Sequence, residues 1–162
     1  MILPRRLLAA GTVLAAILSL SACAGTVAMQ PGPAADDPAC AAVSVRLPDT
    51  IAGQARRWTD AQATAAWGDP ASVLLTCGVR VPGPSELTCQ SVDGVDWLVD
   101  ESEAPKYYTF TTFGRTPAVE VYIDYDVVGS ADTLRAISSM LAVQLAPTGS
   151  VCTARPGSEE IE

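Results

Sequence analysis

Tyr107-Tyr108-Thr109-Phe110-Thr111-Thr112-Phe113, then Gly114-Arg115-Thr116-Pro117, then Ala118-Val119-Glu120-Val121-Tyr122-Ile123-Asp124-Tyr125-Asp126 follow one another without a break. The outer two segments are rich in β-branched and aromatic residues and are separated by a Gly/Pro turn, so they read as two long paired strands. In the second, Val119, Val121, Ile123 and Tyr125 fall on one face and Glu120, Tyr122, Asp124 and Asp126 on the other, because side chains alternate along a strand. A strand with one apolar and one polar face belongs to a sheet that is covered on one side.

Working outward, Val95–Asp100 places Val95, Trp97 and Val99 on one face and Asp96, Leu98 and Asp100 on the other. Asp93-Gly94 before it fits a two-residue hairpin turn back to a strand over Glu86–Val92. Ser72–Val81 is a further apolar, β-rich run, ended by Pro82-Gly83-Pro84. On the C-terminal side, Leu134, Ile137, Leu141 and Leu145 recur at helical spacing, with Ser130 or Asp132 available as a cap and Pro147 and Gly149 as a stop. On the N-terminal side, Val43, Val45 and Leu47 alternate with Ser44 and Arg46, which predicts a first strand. Asp49-Thr50 predicts a short helical turn through Ile51–Gln54, while Arg56–Trp67 has no clear period. The pattern is α+β: a mostly antiparallel β-sheet of five or six strands with one C-terminal helix packed on a face.

The chain opens with Arg5-Arg6, an apolar run over Leu7–Leu20, and Leu20-Ser21-Ala22-Cys23. A basic start, a short apolar run and small residues before a cysteine describe a lipoprotein signal peptide over residues 1–22. The run is short for a membrane span, which needs roughly 20 apolar residues. Cys23 is then the expected lipid-attachment site, and lipid chains that add about 0.8 kcal/mol per buried CH₂ would hold the protein to a membrane. Residues 23–39 follow as the lipidated N-terminus and a flexible tether rich in Ala, Gly and Pro, with a reach of about 20–25 Å. The expected single domain spans residues 40–155, and residues 156–162 form an acidic tail.

The 162 residues carry 10 basic and 18 acidic side chains. Without Arg5 and Arg6 the balance is 8 against 18, a net charge of −10, which argues against nucleic acid as a partner. There is no histidine, so the usual general base near neutral pH and the commonest metal ligand are both missing. No cofactor and no metal site are expected.

Of five cysteines, Cys23 is assigned to lipid, leaving Cys40, Cys77, Cys89 and Cys152. Four cysteines in an exported chain imply two disulfides, with three connectivities open. The favoured pairing joins Cys77 to Cys89, on two strands expected to be neighbours, and Cys40 to Cys152, tying the ends of the domain in a loop worth roughly 4–5 kcal/mol on the chain-entropy model. A four-thiolate zinc site is disfavoured because paired CxxC spacing is absent.

The combination of Ala65-Ala66-Trp67-Gly68-Asp69-Pro70, Cys77-Gly78-Val79, Cys89, Asp93-Gly94-Val95-Asp96-Trp97-Leu98-Val99 and Thr111–Val121 resembles the actinobacterial lipoproteins grouped as domain-of-unknown-function family 3515. The resemblance covers roughly Cys40 to Cys152. It implies an exported, lipid-anchored envelope protein and carries no catalytic residue that could be transferred.

Read for chemistry, the acids Asp93, Asp96, Asp100, Glu101 and Glu103, or Asp124 with Asp126, could bind a hard cation, yet neither group follows a recognised loop spacing. Arg115, in the turn between the long strands, could receive an anionic group through its planar fork, with Glu120 nearby, or it could pin the turn. Trp97 could line a groove with the tyrosines. Arg115, Glu120 and Trp97 are therefore the candidate ligand or partner contacts. Arg56-Arg57-Trp58 is a further basic and aromatic site in an acidic chain. The expectation is a membrane-anchored, extracytoplasmic lipoprotein of the cell membrane, not an enzyme, acting as a binding or accessory module toward an envelope protein or cell-wall component. The alternatives are a carboxylate-based hydrolase and a small-molecule carrier.

Overall fold

The computed structural model describes residues 25–153. In chain order its elements are α1 (Pro38–Ser44), β1 (Thr50–Ile51), β2 (Gln54–Arg57), β3 (Thr64–Trp67), β4 (Val73–Val79), β5 (Thr88–Val92), β6 (Val95–Asp100), β7 (Tyr107–Phe113), β8 (Arg115–Thr116), β9 (Ala118–Asp124), α2 (Ser130–Gln144) and β10 (Ala146–Pro147). Eight strands form one antiparallel sheet in the order β1-β2-β3-β4-β9-β7-β6-β5, and β8 pairs with β10 beside it. The two long strands read from the sequence, β7 and β9, lie side by side near the middle, with β4 on the other side of β9.

The expected five or six strands become eight because the stretch before β4 folds differently. The predicted first strand is lost to α1. Asp37 caps that helix by accepting from the Ala39 N–H at 2.7 Å, and Pro38 follows at the first helical position, where its missing N–H costs nothing. Cys40, Val43 and Leu47 are buried, whereas Val45 is 78% exposed. A strand would have put Val43, Val45 and Leu47 on one face; the spacing that matters is the helical one from Cys40 to Val43. The predicted helical turn after Asp49 is instead the β1–β2 hairpin, turning at Ala52-Gly53, both at positive φ. β3 is buried at every position, so it carries no two-residue alternation to read.

One face of the sheet carries the core. Val99, Phe110, Val121 and Leu75 stand opposite one another across β6, β7, β9 and β4. Above them pack Leu134, Ile137 and Leu141 of α2 and Cys40 and Val43 of α1, all fully buried. The C-terminal helix thus stands where its periodicity put it, although its N-cap is Gly129, whose carbonyl accepts from the Thr133 hydroxyl at 2.9 Å. Ser130 turns its hydroxyl to Tyr125 instead, at 2.7 Å.

All four domain cysteines are paired, but the pairing is Cys40–Cys77 and Cys89–Cys152, not Cys77–Cys89 and Cys40–Cys152. Three strands separate β4 from β5, and at about 4.8 Å per strand that distance is far beyond disulfide reach. The faces differ as well. Cys77 is on the core side with Leu75, under α1, while Cys89 stands opposite Leu98 on the other side.

The expected tether is also corrected over the residues described. Val27 bridges to Thr59 and donates its N–H to the Trp58 carbonyl at 2.8 Å. The Met29 N–H reaches Asp60 at 2.8 Å, the Ala34 N–H reaches the Gly78 carbonyl at 2.9 Å, and Ala35 is buried. Gly78 interrupts the β4 register and sits at φ +82°, and a Cβ there would collide with the Ala34 backbone. Glycine at this bulge is what lets the N-terminal arm cross the strand. Composition suggested a flexible linker because this arm is fixed by backbone hydrogen bonds, which any residue type can make. Cys23 and the 156–162 tail lie outside the described residues.

Candidate functional site

The face of the sheet opposite the helices is the candidate site. Strand register builds it in rows. Thr76, Glu120, Thr111, Leu98 and Cys89 line up across β4, β9, β7, β6 and β5. Leu74, Tyr122, Thr109 and Asp100 form the next row, and Asp124 with Tyr107 the next. Apart from the buried Leu98, these residues are half-buried or exposed, and among the described residues no helix covers them.

Tyr107 and Tyr122 stack with ring centroids 5.2 Å apart, an offset pairing favoured by the ring quadrupoles. The Lys106 ammonium sits over the Tyr107 ring at 4.8 Å and 3.9 Å from Asp124. The Tyr122 hydroxyl donates to Glu103 at 2.8 Å. Burial first, and then this neighbouring carboxylate, push the Tyr122 pKa up to about 12, so the phenol keeps its proton. Asp100 is held below the usual carboxylate range by hydrogen bonds from the Ser102 backbone, at 2.8 Å, and hydroxyl.

Glu120 lies in the middle of this face, between Thr76 and Thr111. Burial, and secondarily the Asp100 charge, raise its pKa. A carboxyl raised in the folded state costs stability where it must ionise; the folded protein then holds the proton more tightly than the unfolded chain. We expect Glu120→Gln to be more stable than the wild type at pH 7. The difference should shrink on acidification and vanish below the ordinary glutamate range near about 4.3, as read from thermal melts at pH 7 and pH 4.

The other two predicted contacts are used by the fold. Trp97 is fully buried on the core face and donates its indole N–H to Ser138 of α2 at 3.1 Å. Arg115 does not meet Glu120. Its guanidinium donates to the Ala142 and Leu145 carbonyls, each at 3.2 Å, and to the Gly94 carbonyl at 2.7 Å. It thereby satisfies carbonyls that the end of α2 leaves unpaired and ties them to the β5–β6 turn. Arg115→Ala should cost about 2 kcal/mol, the scale of hydrogen bonds to a charged donor. Urea unfolding measures it, and Arg115→Lys should recover only part, since an ammonium cannot reproduce the fork.

Glu120 and Asp124 do not converge. They are four residues apart on β9, about 13 Å along the strand, and Asp124 is engaged by Lys106. Asp96 accepts from the Cys152 N–H at 2.6 Å and from the Ser91 hydroxyl. Among the described residues no three His, Cys, Asp or Glu side chains cluster as metal ligands. Of Arg56-Arg57-Trp58, Arg56 is spent on the Ser44 and Leu47 carbonyls and Arg57 pairs with Asp69 at 2.7 Å. These three residues border a cleft of about 460 Å³, with Asp49, Thr59 and Thr64. The space beneath α2 is filled by the core side chains named above. Sequence reasoning placed Glu120 and Tyr122 on the polar face of their strand but missed the tyrosine stack, which depends on β7 and β9 register.

The model of the family described as Protein of unknown function (DUF3515) matches residues 1–149. The chain belongs to this family. No curated protein and no solved structure matches it. The DUF3515 match takes in every strand and both helices of the described residues, and three of the four paired cysteines, leaving out Cys152. Among the described residues no helix is long and apolar enough to cross a membrane.

Proposed function

We propose that this DUF3515 protein is a lipid-anchored envelope lipoprotein, of the actinobacterial type its resemblance implies, attached through Cys23 to the extracytoplasmic side of the cell membrane. It acts there as a binding module, without catalysis of its own. The observation that carries the binding reading is the part of the sheet face around Tyr107, Tyr122 and Glu120, which no described helix covers. The Tyr107–Tyr122 stack and the polar rows around Glu120 form a broad, shallow platform, suited to an envelope protein or a cell-wall component rather than to an enclosed small molecule. Two disulfides within one small domain support an oxidising compartment. The absent histidine and the separation of Glu120 from Asp124 support a non-catalytic role, since paired glycosidase carboxylates stand within about 5–9.5 Å.

A photo-activated cross-linker placed at Thr111, on the platform, and separately at Arg135, on the exposed side of α2, tests this in intact cells. Discrete adducts from Thr111 and not from Arg135 support the proposal. Equal labelling from both positions, or none from Thr111, overturns it.

A further inference from the structure

Resting on the lipid-anchor reading above, we infer that the domain does not float on a tether but lies against the bilayer through the edge that carries Trp58. The first described residue, Gly25, already has its carbonyl accepting from Arg57 at 3.2 Å. Val27 is then paired in both directions with the same segment. Its N–H goes to Trp58, and its carbonyl accepts from the Asp60 N–H at 3.3 Å. Cys23 is two residues before Gly25, and two Cα–Cα steps of 3.8 Å span at most about 7 Å. A lipid on Cys23 therefore has its attachment point within about 7 Å of Gly25, which the Arg57 guanidinium holds, whatever path Ala24 takes.

Trp58 is the surface feature of that segment. It is 84% exposed, while Trp67 and Trp97 are fully buried. A tryptophan ring with its apolar body and polar N–H is suited to the headgroup level of a bilayer. The occupant is thus a phospholipid surface, and the attraction is not electrostatic. Arg56 and Arg57 are already engaged, and Asp49, Asp60 and Asp69 stand around them. Contact should accordingly not be strengthened by anionic lipid. It also sets the far side of the domain. Six strand spacings, about 29 Å of sheet, separate β2 from β5, so the β5 edge with Cys89–Cys152 stands away from the anchor.

Tryptophan emission of the native lipoprotein, reconstituted in phosphatidylcholine vesicles with brominated acyl chains, reads this directly. Bromine quenches only rings that reach the bilayer. We expect vesicle-bound protein with the Trp58 share of the emission lost. Trp58→Phe, at an exposed position, should remain bound and unquenched, and addition of phosphatidylglycerol should not deepen the quenching of the wild type. Bound wild-type protein whose emission matches that in unbrominated vesicles overturns the docked edge while leaving the anchor standing. Protein that stays unbound overturns the anchor and the inference with it.

Discussion

Replacing Cys40 and Cys77 together by alanine lowers the stability of the domain by about 4 kcal/mol, and by more than the matching replacement of Cys89 and Cys152. The bridges close loops of 37 and 63 residues. On chain entropy alone both are worth about 4 kcal/mol, with the longer slightly ahead. Burial reverses the order. Cys40 and Cys77 are both fully buried and join α1 to β4 in the core, so their loss also leaves unfilled volume between helix and sheet. Cys152 follows an exposed run from Ala146 to Val151, and freeing it releases a surface segment. Against a typical total of about 5–15 kcal/mol, the first loss is a large share. Urea unfolding of the two double variants gives the order, and losses ranked by loop length would show that α1 is not held by its bridge. Non-reducing peptide mapping of the wild type should recover Cys40 with Cys77.

Trp97→Ala should cost about 3–5 kcal/mol, the range for truncating a large buried aromatic. Its ring lies on the core face, opposite Thr112 of β7, and its N–H is satisfied by Ser138. Trp97→Phe keeps most of the volume but strands the buried Ser138 hydroxyl, at about 1–3 kcal/mol. Adding Ser138→Ala to Trp97→Phe should recover part of that loss, because it removes the orphaned group. Denaturant midpoints of the three variants measure this. A recovery of nothing would mean the hydrogen bond is not what the ring contributes. Cross-linking from Thr111 should be unaffected in any Trp97 variant that remains folded, since this ring is on the opposite side of the sheet.

What could be read without a structure follows from how local each signal is. Val119, Val121 and Ile123 alternate with Glu120, Tyr122 and Asp124, and the structure keeps that division, with the first three fully buried. Asp93-Gly94 makes its two-residue turn, with both residues at positive φ. Leu134, Ile137, Leu141 and Leu145 face the sheet. These elements carry their own period and punctuation. Where the period is short or saturated, the local signal points to the wrong element. Val43-Ser44-Val45-Arg46-Leu47 alternates by accident inside a helical start set by Asp37-Pro38, and the buried Thr64–Trp67 strand has no polar face to reveal it.

The candidate site divides in the same way. Glu120 could be placed on a polar face from its own strand. The stack of Tyr107 on Tyr122 could not, because it needs the register of two strands. Arg115 and Trp97 looked available as ligand contacts only because the sequence hides their partners, the end of α2 and Ser138.

The α+β class, the one-sided antiparallel sheet, the C-terminal helix, the acidic charge balance and the four domain cysteines are legible in the residues alone. Periodicity, charge and composition are properties of neighbouring residues, so they survive without the fold. Which cysteines meet, which face no described helix covers and how the N-terminal arm is held come from long-range packing. The first and the last of these involve β9 inserting between β4 and β7. That single placement separates Cys77 from Cys89, carries Cys89 to the far edge, and leaves the Gly78 bulge beside the incoming arm.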